Sequence, residues 1–190
     1  MNKHVKEMKD VISSYAATLK SITGERTRNN DIYKDSIAAE ENAKLDSRMI
    51  SAFNNAIDSI MDIQKTAAEE SEQWGELNGS DIDTADLQLL HGPFTLNDND
   101  IMNLIEKHYS NGTMLRAISD YCEERGKQTI QQVIPTVYTK QEAWAKIAAG
   151  ADGIIRSLTE QPLGGPMLDL AIEQFGTPTS FSESLYRVIG

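Results

Sequence analysis

The chain has 190 residues, of which 39% are hydrophobic and only 6% aromatic, and its 29 acidic and 18 basic residues leave a net charge of −11. This acidity argues against direct contact with nucleic-acid phosphates or an anionic membrane face, because both are bound mainly through cationic side chains. A single cysteine excludes an intramolecular disulfide framework, and no stretch approaches the roughly 20 apolar residues of a membrane span. We therefore expect a protein that is cytoplasmic when made.

The first 75 residues predict two helices. Apolar residues recur every three or four positions in the first helix, which is expected to end at Gly24: Val5, Met8, Ile12, Tyr15, Leu19 and Ile22. The same spacing continues in a second helix from about Asn30 to Trp74, on the order of 65 Å long. Its predicted seam comprises Ile32, Ser36, Ala39, Ala43, Asp46, Ile50, Phe53, Ile57, Ile60, Gln64 and Ala67.

Two pairings of these helices are open. They can fold back on each other as an antiparallel hairpin, or the long helix can form a coiled coil with another copy or a partner chain. The large apolar residues are concentrated in the second half of the seam, where Met61 widens it. We therefore predict the contact surface at Ile50, Phe53, Ile57, Ile60 and Met61.

Residues 76–96 are predicted to form a linker, because "GELNGSDIDTADLQLLHGPFT" is rich in Gly, Asp, Ser and Thr. A short apolar anchor within it can dock on a neighbour: Leu87, Leu89, Leu90 and Phe94. Its aspartates lack the glycine and glutamate of a calcium-binding loop, so no metal site is predicted. The expected regions are a long-helix region at 1–75, this linker, and a C-terminal helical domain at 97–190.

A compact two-helix cassette is predicted at 97–126, "NDNDIMNLIEKHYSNGTMLRAISDYCEERG". Asn97 or Asp98 can cap the first helix, Asn111 and Gly112 separate the two, and Gly126 ends the second. Two helices of this length bury too little surface to be stable alone. We expect the third element from the helix that follows the capping-box pair Thr139 and Glu142.

The remaining sequence predicts further short helices. "PLGGP" stops the preceding helix, Pro166 opens the next, and Gly176 with Pro178 ends it. Ser180 with Glu183 is expected to cap a last short helix. The predicted fold class is all-α, with a long N-terminal helical hairpin or coiled coil followed by a small C-terminal helical bundle.

No group of residues predicts chemistry. The three histidines lack metal-ligand spacing, and His108, near a helix C-terminus, is expected to be structural. Cys122 is expected to be a buried thiol, and no phosphate-binding glycine motif is present. We therefore predict no catalytic, cofactor-binding or metal-binding residues, and no enzyme.

The stretch "NGTMLRAISDYCEERG", with the preceding "LNDNDIMNLIEKHYS", resembles a helical cassette in small proteins from the head-morphogenesis regions of tailed bacteriophages. The paired-helix region on an acidic, mostly helical chain is also similar to phage scaffolding and internal head proteins. The resemblance implies a structural or assembly role with no catalytic residues. It also implies incorporation into a virion as one possible destination.

The predicted function is therefore a non-enzymatic assembly protein that associates with itself or with other phage structural proteins. The cassette is expected to be a docking module that presents charged residues outward: Glu106, Arg116, Asp120, Glu123 and Glu124. The alternative is a monomeric intracellular adaptor whose C-terminal helical domain binds a partner peptide. An enzyme would require a cleft created only by the fold.

Overall fold

The computed structural model describes residues 2–161, 166–176 and 188–189. These residues form helices and turns with no β-strand, which confirms the all-α class. The helices are α1 (Lys3–Ile32), α2 (Asp35–Gly75), α3 (Thr84–His91), α4 (Asp98–Lys107), α5 (Gly112–Glu124), α6 (Gln128–Gln131), α7 (Val137–Glu160) and α8 (Pro166–Gln174), with a 3₁₀ turn at Gly79–Asp81. None of the described helices is long and apolar enough to cross a membrane.

Helices α1 and α2 form an antiparallel hairpin, so this predicted pairing is confirmed. Side chains late in α1 bind side chains early in α2. Arg48 donates to Glu25 at 2.7 Å, and Arg26 pairs with Asp46. Nearer the turn, the amide of Asn42 bonds to those of Asn29 and Asn30. Pairing of α2 with another chain remains a prediction.

The predicted helix end at Gly24 is wrong, because α1 continues to Ile32. A glycine inside a helix costs about 1 kcal/mol relative to alanine. Beyond Gly24, however, Glu25 and Arg26 bind α2, and these contacts favour continuation of the helix. The chain instead leaves the helix at Tyr33, where the backbone is extended.

The buried face of α2 differs from the predicted seam in its first half. Ala38 and Leu45, which lie outside the seam, are buried there, whereas Ile32 of the seam ends α1 and is 66% exposed. The opposing part of α1 carries polar residues, so hydrophobic spacing in α2 was a poor guide to which face is buried. In the second half the seam is correct at Ile60 and Ala67, which are both buried.

One compact unit comprises Met1–Thr66 and Trp144–Tyr186. The predicted apolar stripe of α1 is confirmed and forms much of its core with residues of α7: Val5, Met8, Ile12, Leu19, Ile22, Ile147, Ala151, Ile155 and Leu158. The hydroxyl groups of Tyr15 and Thr159 share a hydrogen bond of 2.7 Å, which joins α1 to α7. Helix α8 also contacts α1, where Lys9 donates to the carbonyl oxygen of Glu173.

The second compact unit comprises Ala67–Ala143 and Arg187–Gly190. Its core surrounds α5 and draws apolar residues from the neighbouring short helices and loops: Leu90, Leu96, Ile101, Leu104, Ile105, Leu115, Ile118, Tyr121, Cys122, Ile130 and Ile134. The Tyr121 hydroxyl accepts a hydrogen bond of 2.9 Å from the backbone N–H of Leu96. This bond satisfies the polar group that the large ring carries into the core.

The boundaries of the cassette are confirmed. Asn97 and Asp100 form a capping box at the start of α4, Asn111 caps α5, and Gly126 adopts a left-handed φ of 67° after α5. The predicted third element, the helix after Thr139, is α7, whose Lys140 Nζ lies 5.8 Å from the centre of the Tyr109 ring in the cassette. The cassette packs against α3 and the α6 segment, through residues that include Leu90 and Ile130. Sequence spacing could not identify these partners, because both helices are too short to show a clear period.

The predicted linker contains α3, whose Leu90 is buried, while Leu89 and Phe94 are 42% and 66% exposed. The two compact units also differ from the predicted regions 1–75, 76–96 and 97–190, because α2 and α7 each contribute residues to both units. The prediction followed changes in composition along the chain. A long helix can enter two cores without any change in composition.

Helix α7 begins before the predicted capping pair. Thr136 and Thr139 bond reciprocally, each backbone N–H donating to the other's hydroxyl at 3.1 and 2.9 Å. Thr139 is therefore in the first turn and does not form the cap with Glu142. Pro166 opens α8 as predicted, and Gly176 follows it with a left-handed φ of 80°. Residues 162–165 of "PLGGP", Pro178, and the predicted cap at Ser180 and Glu183 lie outside the described residues.

Candidate functional site

The residues predicted for protein contact on α2 occupy different environments. Ile50 and Met61 are 59% and 61% exposed, Phe53 and Ile57 are half-buried, and Ile60 is only 2% exposed. Ile60 therefore belongs to the core and is not available to a partner. The other four residues form the α2 row, defined as Ile50, Phe53, Ile57 and Met61. The row is about 16 Å long at 1.5 Å per residue.

The α2 row is free of charge along its centre. Ile50, Ile57 and Met61 lie within about 40° of one another around the helix, because successive residues are about 100° apart. The charged residues between positions 47 and 64 are Arg48, Asp58 and Asp62. All three project about 80° or more away from the centre of the row by the same geometry.

Contacts within the first unit hold one end of the row in place. The Phe53 ring meets the Tyr15 ring edge-on at 6.4 Å, and the Arg156 guanidinium lies 5.7 Å from the centre of the Phe53 ring. Beside these residues, a pocket of about 130 Å³ is lined by Met49, Ile50, Phe53 and Thr159. The row therefore has a fixed aromatic residue and an adjoining apolar recess.

The residues predicted to make the cassette a docking module are exposed on α4 and α5: Glu106, Arg116, Asp120, Glu123 and Glu124. The apolar face of each helix points into the core of the second unit, as the spacing predicted. Four of these five side chains are acidic, so the surface suits a partner that carries positive charge. A docking role for this surface remains a prediction.

The structure brings together a group that the sequence did not identify, the Asp86 cluster, which consists of Asp83, Asp86, Lys107 and His108. One Asp86 oxygen accepts from Lys107 Nζ and from His108 Nε2, both at 2.6 Å. Lys107 also donates to Asp83 at 2.9 Å, while the other Asp83 oxygen caps α3. Asp86 and His108 are 7% and 6% exposed. His108 was expected to be structural, and in the structure it joins α4 to α3.

Charge balance explains the pKa shifts of Asp83, Asp86 and Lys107. The hydrogen bond from Lys107 is the main cause that lowers the pKa of Asp86; burial opposes it, and the bond from His108 adds to it. Lys107 also lowers the pKa of Asp83, and the two carboxylates raise the pKa of Lys107. Asp83, Asp86 and His108 each offer a ligand atom within 4.8 Å of the others, which is a spacing compatible with a metal ion. The Lys107 ammonium already supplies a cation between the two carboxylates.

Lys140, in the first turn of α7, is the second feature that the sequence did not identify. It is 8% exposed, and its Nζ lies 4.5 Å from the centre of the Trp74 ring and 5.8 Å from that of Tyr109. Burial lowers the pKa of Lys140. The aromatic faces attract the ammonium group but do not replace its lost hydration. No signal in the sequence marks this lysine, because its aromatic neighbours are distant along the chain.

Replacement of Lys140 by Met should raise the free energy of unfolding at pH 7 by about 1 kcal/mol, because it removes a buried charge and keeps an apolar side chain. The pKa of Lys140 is lower in the folded chain than its ordinary value of 10.5. At a pH between the folded pKa and 10.5, the unfolded wild-type chain binds more protons than the folded chain, so its free energy of unfolding should rise with pH. The stability advantage of the Met variant over the wild type should therefore shrink. Urea unfolding at pH 7 and pH 10 measures both effects. A destabilised Met variant at pH 7 would show that the aromatic contacts outweigh the cost of burial.

Cys122 is a buried thiol, as predicted. Its side chain is fully buried in the core of the second unit, and burial raises its pKa. A thiol with a raised pKa is a poor nucleophile at neutral pH. Cys122 therefore packs as a small apolar residue.

The α2 row is thus the part of the predicted contact surface that reaches the protein surface. The Asp86 cluster and Lys140 are instead buried and hold neighbouring helices together. The chain was also compared with protein-family models, with curated proteins and with solved structures, and none of these comparisons gave a match.

Proposed function

We propose that this chain is a non-enzymatic assembly protein that acts through contacts between helices, and that the α2 row joins it to a second copy. The single observation that carries the proposal is the exposure of Ile50 and Met61 on an uncharged face of the longest described helix. Apolar side chains that share one exposed helix face can be buried against a partner.

The charge of the chain favours this surface over others for self-association. A net charge of −11 makes two copies repel each other wherever their acidic surfaces approach. The α2 row avoids this repulsion, because its central residues are neutral. Burial of apolar side chains there contributes roughly 25 cal/mol for each Å² of apolar area removed from water. This contribution can offset the electrostatic repulsion between the two copies.

The biological setting that we propose is the assembly of a tailed-bacteriophage head, as a scaffold-like or minor structural component. This part of the proposal rests on the resemblance of the cassette at 97–126 and on the acidic, helical character of the chain. The exposed acidic residues of the cassette would then contact other structural proteins. Self-association through α2 can be tested without knowledge of those proteins.

The test is the mass in solution of the wild-type chain and of a variant that carries Ile50→Asp and Met61→Asp. We expect a wild-type dimer and a variant monomer, since each dimer would bury four new carboxylates in an apolar contact. Both residues are exposed, so the fold should survive, and circular dichroism checks the helix content. Light scattering and sedimentation equilibrium measure the mass.

Ile37→Asp is the matched control, because Ile37 is 48% exposed on α2 but lies about 140° around the helix from Ile50. This variant should keep the wild-type mass. A wild-type monomer at high concentration would contradict self-association and favour the monomeric adaptor. An equal loss of mass in the control would show that the effect is not specific to the α2 row.

A further inference from the structure

We draw no further inference here: the strongest candidate, a metal site in the side-chain cluster of Asp83, Asp86 and His108 between α3 and α4, carries nothing because the Lys107 ammonium already lies between the two carboxylates and nothing else in the described residues points to a bound ion.

Discussion

Gly112→Ala should lower the free energy of unfolding by about 3 kcal/mol, the upper end of the cost of overpacking. Gly112 is the first residue of α5 and lies against the end of α2. A Cβ there would overlap the carbonyl oxygen of Trp74 and lie 3.2 Å from its indole ring. Trp74 has little freedom to move, because its Nε1 donates to the Ser110 carbonyl oxygen at 3.0 Å. Urea denaturation followed by tryptophan fluorescence measures the loss.

Gly24→Ala is the control for the glycine substitution itself. Gly24 lies inside α1, and a Cβ there would meet no atom within 4 Å. This variant should therefore be stabilised by about 1 kcal/mol, the difference in helix propensity between the two residues. A Gly112→Ala variant as stable as the wild type would show that the end of α2 can move away from α5. Destabilisation by Gly24→Ala would contradict the continuous α1 helix.

Asp86→Ala should lower the free energy of unfolding by about 2–3 kcal/mol at pH 7, because it removes a charged acceptor from a buried contact. The substitution leaves His108, which is 6% exposed, without the oxygen that its Nε2 now contacts at 2.6 Å. Lys107 is more exposed and can turn to water, so its share of the loss should be small. Chemical denaturation of the variant measures the effect. Amide hydrogen exchange in α3 should rise at the same time, since Asp86 holds that helix to α4.

The contribution of Asp86 should disappear in acid. Its pKa is lowered from an ordinary value of 3.8 by the bond from Lys107, so the stabilisation is fully present above about pH 4. It is lost as the pH falls through the lower pKa of the folded chain, because the carboxylate is then protonated in both states. The difference in stability between the wild type and Asp86→Asn, which keeps the shape of the side chain, should therefore narrow below pH 4. A constant difference across that range would contradict an ionised Asp86 as the source of the stability.

Features encoded over a few neighbouring residues could be predicted from the sequence. The apolar stripe of α1, the caps at Asn97 and Asn111, and the turn at Gly126 each depend on local spacing or on one side chain bonding to nearby backbone. The contact surface on α2 was predicted as a single seam, yet the structure leaves Ile50 and Met61 exposed. Ile60 of the same seam is buried, because periodicity defines a stripe without saying which edge of it faces α1.

Contacts between residues far apart in the chain were decided by the tertiary structure. Asp86 and His108 looked like a loop aspartate and an isolated histidine until the packing of α3 against α4 brought them within 2.6 Å. No pattern in the sequence marks Lys140, which contacts Trp74 and Tyr109 only in the folded chain. The helical class, the helix caps, the net negative charge and the absence of charge along the α2 row were thus determined by the sequence alone. Helix propensity, spacing and the position of charges are properties of neighbouring residues. Which face is buried and which ionisable groups meet depended on where distant helices pack, and no local pattern encodes that choice.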